Sequence, residues 1–366
     1  MIWRGLDEVR RIMEYNELNE SNNSQLEPNS EQGDNAKLKG YKIVCAKLGL
    51  IMCVYFLCRL AVGWVSSLIG RVFSGLDGNI FGLISGILVI LFVYIIPLLF
   101  AAFIFKSFSD YKGNYRSLYR KPRRLARALG TFPATFGLGH GVALLTLLAS
   151  YLITRFLDVS AYIDDLVRPT VIEPTTSLAG VFAMIFLMVI IAPLFEEFLC
   201  RGIMYDALKP YGTGMAILIS SLLFGLMHGS LYMLFYTTAY GLALGYIRYA
   251  TGSLFIVTIL HAIVNSIGAG ALLLTTLMEL TSEANRYVNT VYTIFILAIL
   301  VMIIVGVAVF IAKIPAIRKF KIENSWTQIG PWKKTAWFFA SVPVIIMMVL
   351  AFNELAGNLL LGILIH

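Results

Sequence analysis

Long apolar runs dominate this sequence, and each is about as long as a lipid bilayer is thick. A transmembrane helix needs about 20 mostly apolar residues, because each residue rises about 1.5 Å against a hydrocarbon core of about 30 Å. Such runs occur at 48–70, 80–105, 134–156, 178–204, 214–229, 231–250, 253–275, 290–313 and 335–352. The sequence therefore predicts an all-α, polytopic transmembrane helical bundle with eight or nine spanning helices.

Composition argues against a soluble globular protein and against a membrane barrel. Hydrophobic residues make up 58% of the chain and charged residues 14%, with a mean hydropathy of +0.80, which is far from globular values. The apolar runs are too continuous for the alternating strands of a barrel. The net charge of +8 is concentrated in short loops, where basic residues orient membrane proteins. We therefore expect membrane lipids, and no nucleic acid, as partners.

The loop charges predict how the chain is oriented in the membrane. The loops at 106–127 and 313–334 are basic, whereas the loop at 157–177 is acidic. Basic loops stay in the cytoplasm, so nine crossings predict a cytoplasmic N-terminus and an external C-terminus. Asn353 and Glu354 interrupt the last apolar run and could make it re-enter the membrane from the same side.

The first 40 residues differ in composition from the rest of the chain. Residues 1–16 have the amphipathic pattern of a helix lying on the membrane surface, and a frayed tail is an equal alternative. Residues 17–36 are rich in Asn, Ser, Glu and Gln, a composition that predicts disorder. We therefore divide the chain into a polar, partly disordered cytoplasmic segment at 1–40 and a transmembrane bundle at 41–366.

Two adjacent acids in the fourth apolar run are candidates for chemistry. A charged side chain costs about 2.5–3.5 kcal/mol at the centre of a spanning helix, so an acid there is a functional hypothesis by default. Glu197 and Arg201 are four residues apart on one helix face, where they can pair. Glu196 is rotated away and stays available as a general base. Pro193 predicts a kink beside it.

Two histidines and an asparagine follow in later runs. His261 and Asn265 are four residues apart and share one helix face, and His228 lies in the run before them. Peptide hydrolysis needs an activated water, a base and donors to the oxyanion. We predict that Glu196 is the base, that His228 orients water and later donates a proton, and that His261 with Asn265 binds the oxyanion. His228 fits the expected depth only if its helix is tilted or starts deeper in the membrane.

These residues form an EExxxR, FxxxH and HxxxN series that resembles the CPBP family of intramembrane proteases, which includes CAAX prenyl endopeptidases and bacterial Abi-type proteins. The resemblance covers roughly residues 130–275. It implies glutamate-dependent cleavage of a membrane-associated peptide or protein, in a cavity open to the cytoplasmic leaflet of a bacterial plasma membrane. The residues that carry over are Glu196, Glu197, Arg201, Phe224, His228, His261 and Asn265.

A zinc-dependent mechanism is the main chemical alternative. Glu196, His228 and His261 could hold zinc with one position open for water. The HExxH signature is absent, and an asparagine such as Asn265 is a poor zinc ligand but a good oxyanion donor. We therefore favour a mechanism without a metal or another cofactor.

Structural interpretations compete with the catalytic ones. Polar residues often serve only to hold membrane helices together. Such a structural role explains Glu197 and Arg201 as well as a catalytic role does. We expect Arg59 to face the bundle interior and His140 to lie at a headgroup boundary, both outside the active site. The small-xxx-small pair Gly241 and Gly245 predicts close helix packing.

Two other functional classes remain as alternatives. A proton-coupled transporter would use buried acids and histidines as a relay, although the sequence shows no duplicated halves. A non-catalytic immunity protein would keep the motifs only as a scaffold. Loss of peptide cleavage in a Glu196→Gln variant separates the protease from both.

Overall fold

The computed structural model describes residues 31–73, 75, 78–105, 125–126, 130–157, 178–280, 286–318 and 330–355. Within these residues the secondary structure is helical and contains no strand, which confirms the predicted all-α bundle. The surface helix expected at 1–16, and most of the three charged loops, lie outside the described residues. The helix of the first apolar run already begins at Glu31, so residues 31–36 are helical where the composition predicts disorder.

Ten helices follow one another in the described part of the chain. They are α1 (Glu31–Val72), α2 (Gly78–Val89, Ile90–Ile95 and Ile96–Ile104), α3 (Phe132–Leu157), α4 (Leu178–Phe186, Leu187–Ile191, Ala192–Glu197, Phe198–Met204 and Tyr205–Leu208), α5 (Thr213–Leu226), α6 (Leu231–Thr251), α7 (Leu254–Leu280), α8 (Arg286–Arg318), α9 (Pro331–Phe339) and α10 (Val342–Leu355).

Fewer helices than expected are long and apolar enough to cross a membrane. Among the described residues there are six, or seven if α9 and α10, which meet at a 69° bend, form one broken span. The predicted spans at 214–229 and 231–250 are not among them. The first of these, α5, has 14 residues and extends about 21 Å, which is short of a hydrocarbon core of about 30 Å. The chain is an integral, multi-pass membrane protein, and its orientation stays a prediction.

Helices α5 and α6 form a hairpin whose tip lies inside the bundle. The chain turns at Met227–Ser230, where Ser230 caps α6 by accepting a hydrogen bond from the Met233 N–H. Near the tip, a Cβ on Gly225 would overlap the Thr238 hydroxyl of the facing helix. The hairpin thus packs closely at the turn that carries His228.

The glycine pair of α6 packs as its spacing predicts. A Cβ on Gly245 would lie 3.0 Å from the Ile217 side chain of α5, and one on Gly241 would lie 2.8 Å from the Arg201 guanidinium of α4. The first glycine therefore permits the helices of the hairpin to approach each other. The second makes room for a charged side chain of the candidate site.

Candidate active site

Helix α4 is irregular on both sides of the two glutamates. Wider, π-helical turns at Leu187–Ile191 and Phe198–Met204 flank the short α-helical segment Ala192–Glu197. Such turns are rare and occur often at functional sites. Pro193 lies at the start of the segment between them, and the kink that it predicts stays a prediction.

The proline explains a contact made by Asn265. In the first π-helical turn the Ala192 N–H donates to the Leu187 carbonyl, five residues back. The next donor in this register would be Pro193, which has no N–H, so the Met188 carbonyl lacks a partner within its helix. The Asn265 amide of α7 donates to that carbonyl at 2.8 Å. One of the two amide N–H bonds of Asn265 is therefore used in a helix–helix contact. The predicted role of Asn265 as a donor to the oxyanion requires the second N–H bond.

We expect Asn265→Ala to lower the free energy of unfolding by about 1–3 kcal/mol, because it leaves the Met188 carbonyl without a hydrogen-bond partner. In a Pro193→Ala background the restored N–H supplies a partner, so the same substitution is expected to have a smaller effect. Equilibrium unfolding in detergent measures both penalties. Asn289→Ala, on an exposed position of α8, is the control. Equal penalties in the two backgrounds would contradict the explanation.

Glu197 and Arg201 form the ion pair that their spacing predicts. The Arg201 Nη1 donates to the Glu197 Oε1 at 2.8 Å, and both side chains are fully buried. The guanidinium also lies over the Phe224 ring, 4.3 Å from its centroid, in a favourable cation–π arrangement. This pair is thus enclosed between α4, α5 and α6.

Glu197 also orients His261. The His261 Nδ1 lies 2.8 Å from the Glu197 Oε1, and a carboxylate paired with a guanidinium accepts hydrogen bonds but does not donate. The Nδ1 therefore carries the proton of this bond. The Nε2 on the other side of the ring lies 3.8 Å from the Glu196 Oε2, too far for a direct hydrogen bond.

His228 lies in the turn after α5, which ends at Leu226. Its Nδ1 is 2.9 Å from the Phe224 carbonyl, which can only accept, so here too the Nδ1 carries the proton. The Phe224 ring makes edge contacts with both imidazoles, at centroid distances of 4.9 Å to His228 and 5.6 Å to His261. Phe224 thus separates and supports the two rings.

Four residues near His228 and Glu196 are not part of the three sequence motifs. The Arg59 guanidinium of α1 donates to the Met227 carbonyl, next to His228, and pairs with Glu354 of α10. Tyr55 donates to the same carbonyl, and the Tyr94 ring of α2 lies 5.8 Å, between centroids, from the ring of Phe195, the residue before Glu196. Arg59 thus faces the bundle interior, as expected, and it contacts the residue next to His228 because the hairpin tip reaches the middle of α1.

A signal for part of this arrangement exists in the sequence. Arg59 and Glu354 are opposite charges in two separate apolar runs, and a charge inside a membrane bundle needs a partner. The His140 ring stacks on Phe136 of its own helix, and its Nδ1 lies 3.0 Å from the Phe136 carbonyl. It also contacts Tyr236, whose ring stacks on Tyr240 beside His261. Its location at a headgroup boundary stays a prediction.

The candidate zinc ligands do not form a ready metal site. Among the described residues, no three His, Cys, Asp or Glu side chains are grouped so that they could hold one metal ion. Glu196, His228 and His261 all belong to that part of the chain. The zinc alternative stays a prediction that requires a direct measurement.

Comparison with protein families gives one match. Residues 178–267 match the family model of type II CAAX prenyl endopeptidase Rce1-like proteins. This segment contains all three motifs, whereas α1, α2 and α10 lie outside it. No curated protein and no solved structure matches the chain.

Proposed function

From the match at residues 178–267, which supports the CPBP family of CAAX proteases, we propose that this chain is an intramembrane endopeptidase in which Glu196 activates water. Its substrate is a membrane-associated peptide or protein. The residues that perform the chemistry lie on α4, α7 and the tip of the α5–α6 hairpin.

The observation that carries the proposal is the different surroundings of two adjacent carboxylates. Glu197 is fully buried and engaged by both Arg201 and His261. Glu196 keeps 12% of its side chain exposed, and its contact with His261 is 3.8 Å long. Neighbouring carboxylates in unlike environments commonly divide between structural and acid–base roles. Glu196 is accordingly the base and Glu197 the positioning residue.

The gap between Glu196 and His261 suits the nucleophilic water. Because the Glu196 Oε2 and the His261 Nε2 are 3.8 Å apart, an oxygen beside the two atoms, rather than on the line that joins them, can lie within hydrogen-bonding distance of both. Glu196 takes one proton from this water as the oxygen attacks the peptide carbonyl carbon. As the bond between the water oxygen and the carbonyl carbon forms, the π electrons of the carbonyl group move to the carbonyl oxygen, which becomes the oxyanion.

The remaining donors complete the reaction. We assign His261 and the second N–H of Asn265 to the oxyanion, and His228 to orienting the water through its Nε2, which carries no proton while Nδ1 donates to the Phe224 carbonyl. The second proton of the water passes through this Nε2 to the leaving amine, and Glu196 then returns the first proton to the amine product. His261 donates from Nε2 when its ring is protonated, because its Nδ1 proton is already bound to Glu197. Collapse of the tetrahedral intermediate then breaks the C–N bond.

Purified protein in liposomes tests the proposal. The probes are a farnesylated peptide ending in a CaaX sequence, its unprenylated twin and a single transmembrane peptide, with products identified by mass spectrometry. We expect cleavage of at least one probe, and its loss in the Glu196→Gln variant argued below. Glu279→Gln, at an exposed position near the end of α7, is the matched control. Cleavage of none of the three probes, or equal cleavage by Glu196→Gln, would overturn the proposal.

We expect cleavage to survive removal of metal ions. Glu196, His228 and His261 do not form a three-ligand group, and Asn265 is engaged by the Met188 carbonyl. Incubation with a strong chelator, followed by elemental analysis and the cleavage assay, measures metal content and activity in the same sample. Stoichiometric zinc whose removal abolishes cleavage, and whose return restores it, would favour the metallopeptidase alternative instead.

A further inference from the structure

The carbonyl that precedes His228 is held by α1. The Met227 carbonyl accepts hydrogen bonds from the Arg59 Nη1 at 2.6 Å and from the Tyr55 hydroxyl at 2.9 Å. Tyr55 and Arg59 are four residues apart on one face of α1, so both reach the same point of the hairpin tip. This helix lies outside the family match at residues 178–267.

Helix α10 fixes the arginine from the other side. The Arg59 Nη2 lies 2.5 Å from the Glu354 Oε1, and their side chains are only 24% and 13% exposed. The pair sits directly against the turn, because a Cβ on Gly229 would lie 2.5 Å from the Glu354 Oε1 and 3.0 Å from the Arg59 Nη2. Gly229 also has a φ of 68°, a conformation that other residues adopt reluctantly. The turn is therefore shaped to fit the ion pair.

The contact between Arg59 and the Met227 carbonyl satisfies a backbone group that has no donor within its own helix. The last carbonyls of a helix have no intrahelical donor, and inside a membrane bundle each needs a partner from elsewhere in the protein. α5 ends at Leu226, so the Met227 carbonyl is such a group. A charge-assisted bond from a guanidinium is roughly twice as strong as a neutral one. Arg59, held by Glu354, is thus the principal constraint on this peptide unit.

We propose that Tyr55, Arg59 and Glu354 are positioning residues for His228, acting through the Met227 carbonyl. The Phe224 carbonyl holds the His228 ring at Nδ1, while the clamp of Tyr55, Arg59 and Glu354 holds the backbone from which the ring projects. Together they fix where the Nε2 lies. The catalytic consequence rests on the role proposed above for His228, whereas the clamp itself does not.

Histidine NMR tests the clamp without any assumption about activity. The chain has four histidines, so selective ¹⁵N labelling gives a few imidazole signals that single His→Gln variants assign. Tyr55→Phe removes only the hydroxyl that bonds Met227, and we expect it to shift or broaden the His228 signals. Glu354→Gln, which weakens the hold on Arg59, is expected to do the same.

Tyr41→Phe is the matched control for this measurement. The Tyr41 hydroxyl of α1 also donates to a backbone carbonyl, that of Lys334, at 2.9 Å, but far along the helix from the hairpin tip. We expect the His228 signals of Tyr41→Phe to match those of the wild type. His228 signals that stay unchanged in both Tyr55→Phe and Glu354→Gln would overturn the proposal.

Kinetics on a cleaved probe test the consequence. Tyr55→Phe is expected to lower kcat about 3- to 10-fold, and Arg59→Met about 10- to 100-fold, because a displacement of about 1 Å can have an effect of that size. KM is expected to stay within about twofold. In a His228→Ala background neither Tyr55→Phe nor Arg59→Met should lower kcat further, because the effects of residues that act through one group are not additive. Equal factors in both backgrounds would indicate a merely structural role and overturn the proposal.

The two measurements keep separate hypotheses apart. If no probe is cleaved by the wild-type protein, the proposed function fails, and the NMR comparison still decides whether the clamp fixes His228. If cleavage occurs and the His228 signals respond but kcat does not, the clamp is not a positioning device for catalysis.

Discussion

The Glu196→Gln variant is expected to cleave its substrate about 10²- to 10⁴-fold more slowly than the wild type, the usual contribution of a general base. Glutamine keeps the shape of the side chain and its capacity to hydrogen bond, but it cannot accept the proton of the attacking water. Glu196 has no ion pair with Arg201, so its charge is not required to balance the buried cation. We therefore expect the variant to fold normally, with an unfolding midpoint close to that of the wild type.

Single-turnover cleavage in liposomes, together with detergent unfolding curves, measures the two quantities independently. Glu279→Gln, at an exposed position near the end of α7, is the control for a Glu→Gln change on a helix of the same site. A Glu196→Gln enzyme that keeps more than a tenth of the wild-type rate would exclude Glu196 as the base. A biological effect that persists without cleavage would favour the immunity-protein alternative.

The largest expected effect on stability comes from Arg201→Met. This substitution removes the partner of Glu197 and leaves a fully buried carboxylate without compensation. Breaking such a pair typically costs roughly 3–5 kcal/mol. The substitution also removes the cation–π contact between Arg201 and Phe224, which lowers the stability further. We expect little folded protein, and no cleavage from what folds, because Glu197 no longer holds His261 in a defined orientation.

A second substitution checks the cause. Arg201→Met combined with Glu197→Gln removes the uncompensated charge and retains an acceptor for the His261 Nδ1 proton. We expect the double variant to recover part of the lost stability, measured by unfolding in mixed micelles. A double variant that is less stable than Arg201→Met alone would show that the arginine acts through its size and not through the charge balance.

Features that follow from spacing along one helix are predictable from the sequence. The pairing of Glu197 with Arg201 and the separate direction of Glu196 need only the periodicity of an α-helix. The engagement of Asn265 by Met188 is different. It arises because Pro193 leaves a carbonyl on another helix without a donor, and the sequence does not show which distant amide will satisfy it.

The predicted eight or nine spans differ, for a related reason, from the six or seven helices of the described residues that are long and apolar enough to cross a membrane. A run of apolar residues predicts burial but not whether the chain crosses the membrane or turns back inside the bundle. The runs at 214–229 and 231–250 form a hairpin whose interior tip is possible because α1 supplies donors for it. Arg59 and Met227 are 168 residues apart in the chain, so no local pattern connects them.

The interior hairpin tip has a consequence for the order in which the protein becomes competent. The segment that contains every motif residue does not contain the groups that complete its own turn, and Glu354 is synthesised long after them. During insertion into the membrane, Tyr55 and Arg59 of α1 are present before the bend at His228 forms, whereas the carboxylate that holds Arg59 arrives only with α10. A nascent chain halted after α7 would therefore carry the whole recognised motif and yet lack one member of the clamp.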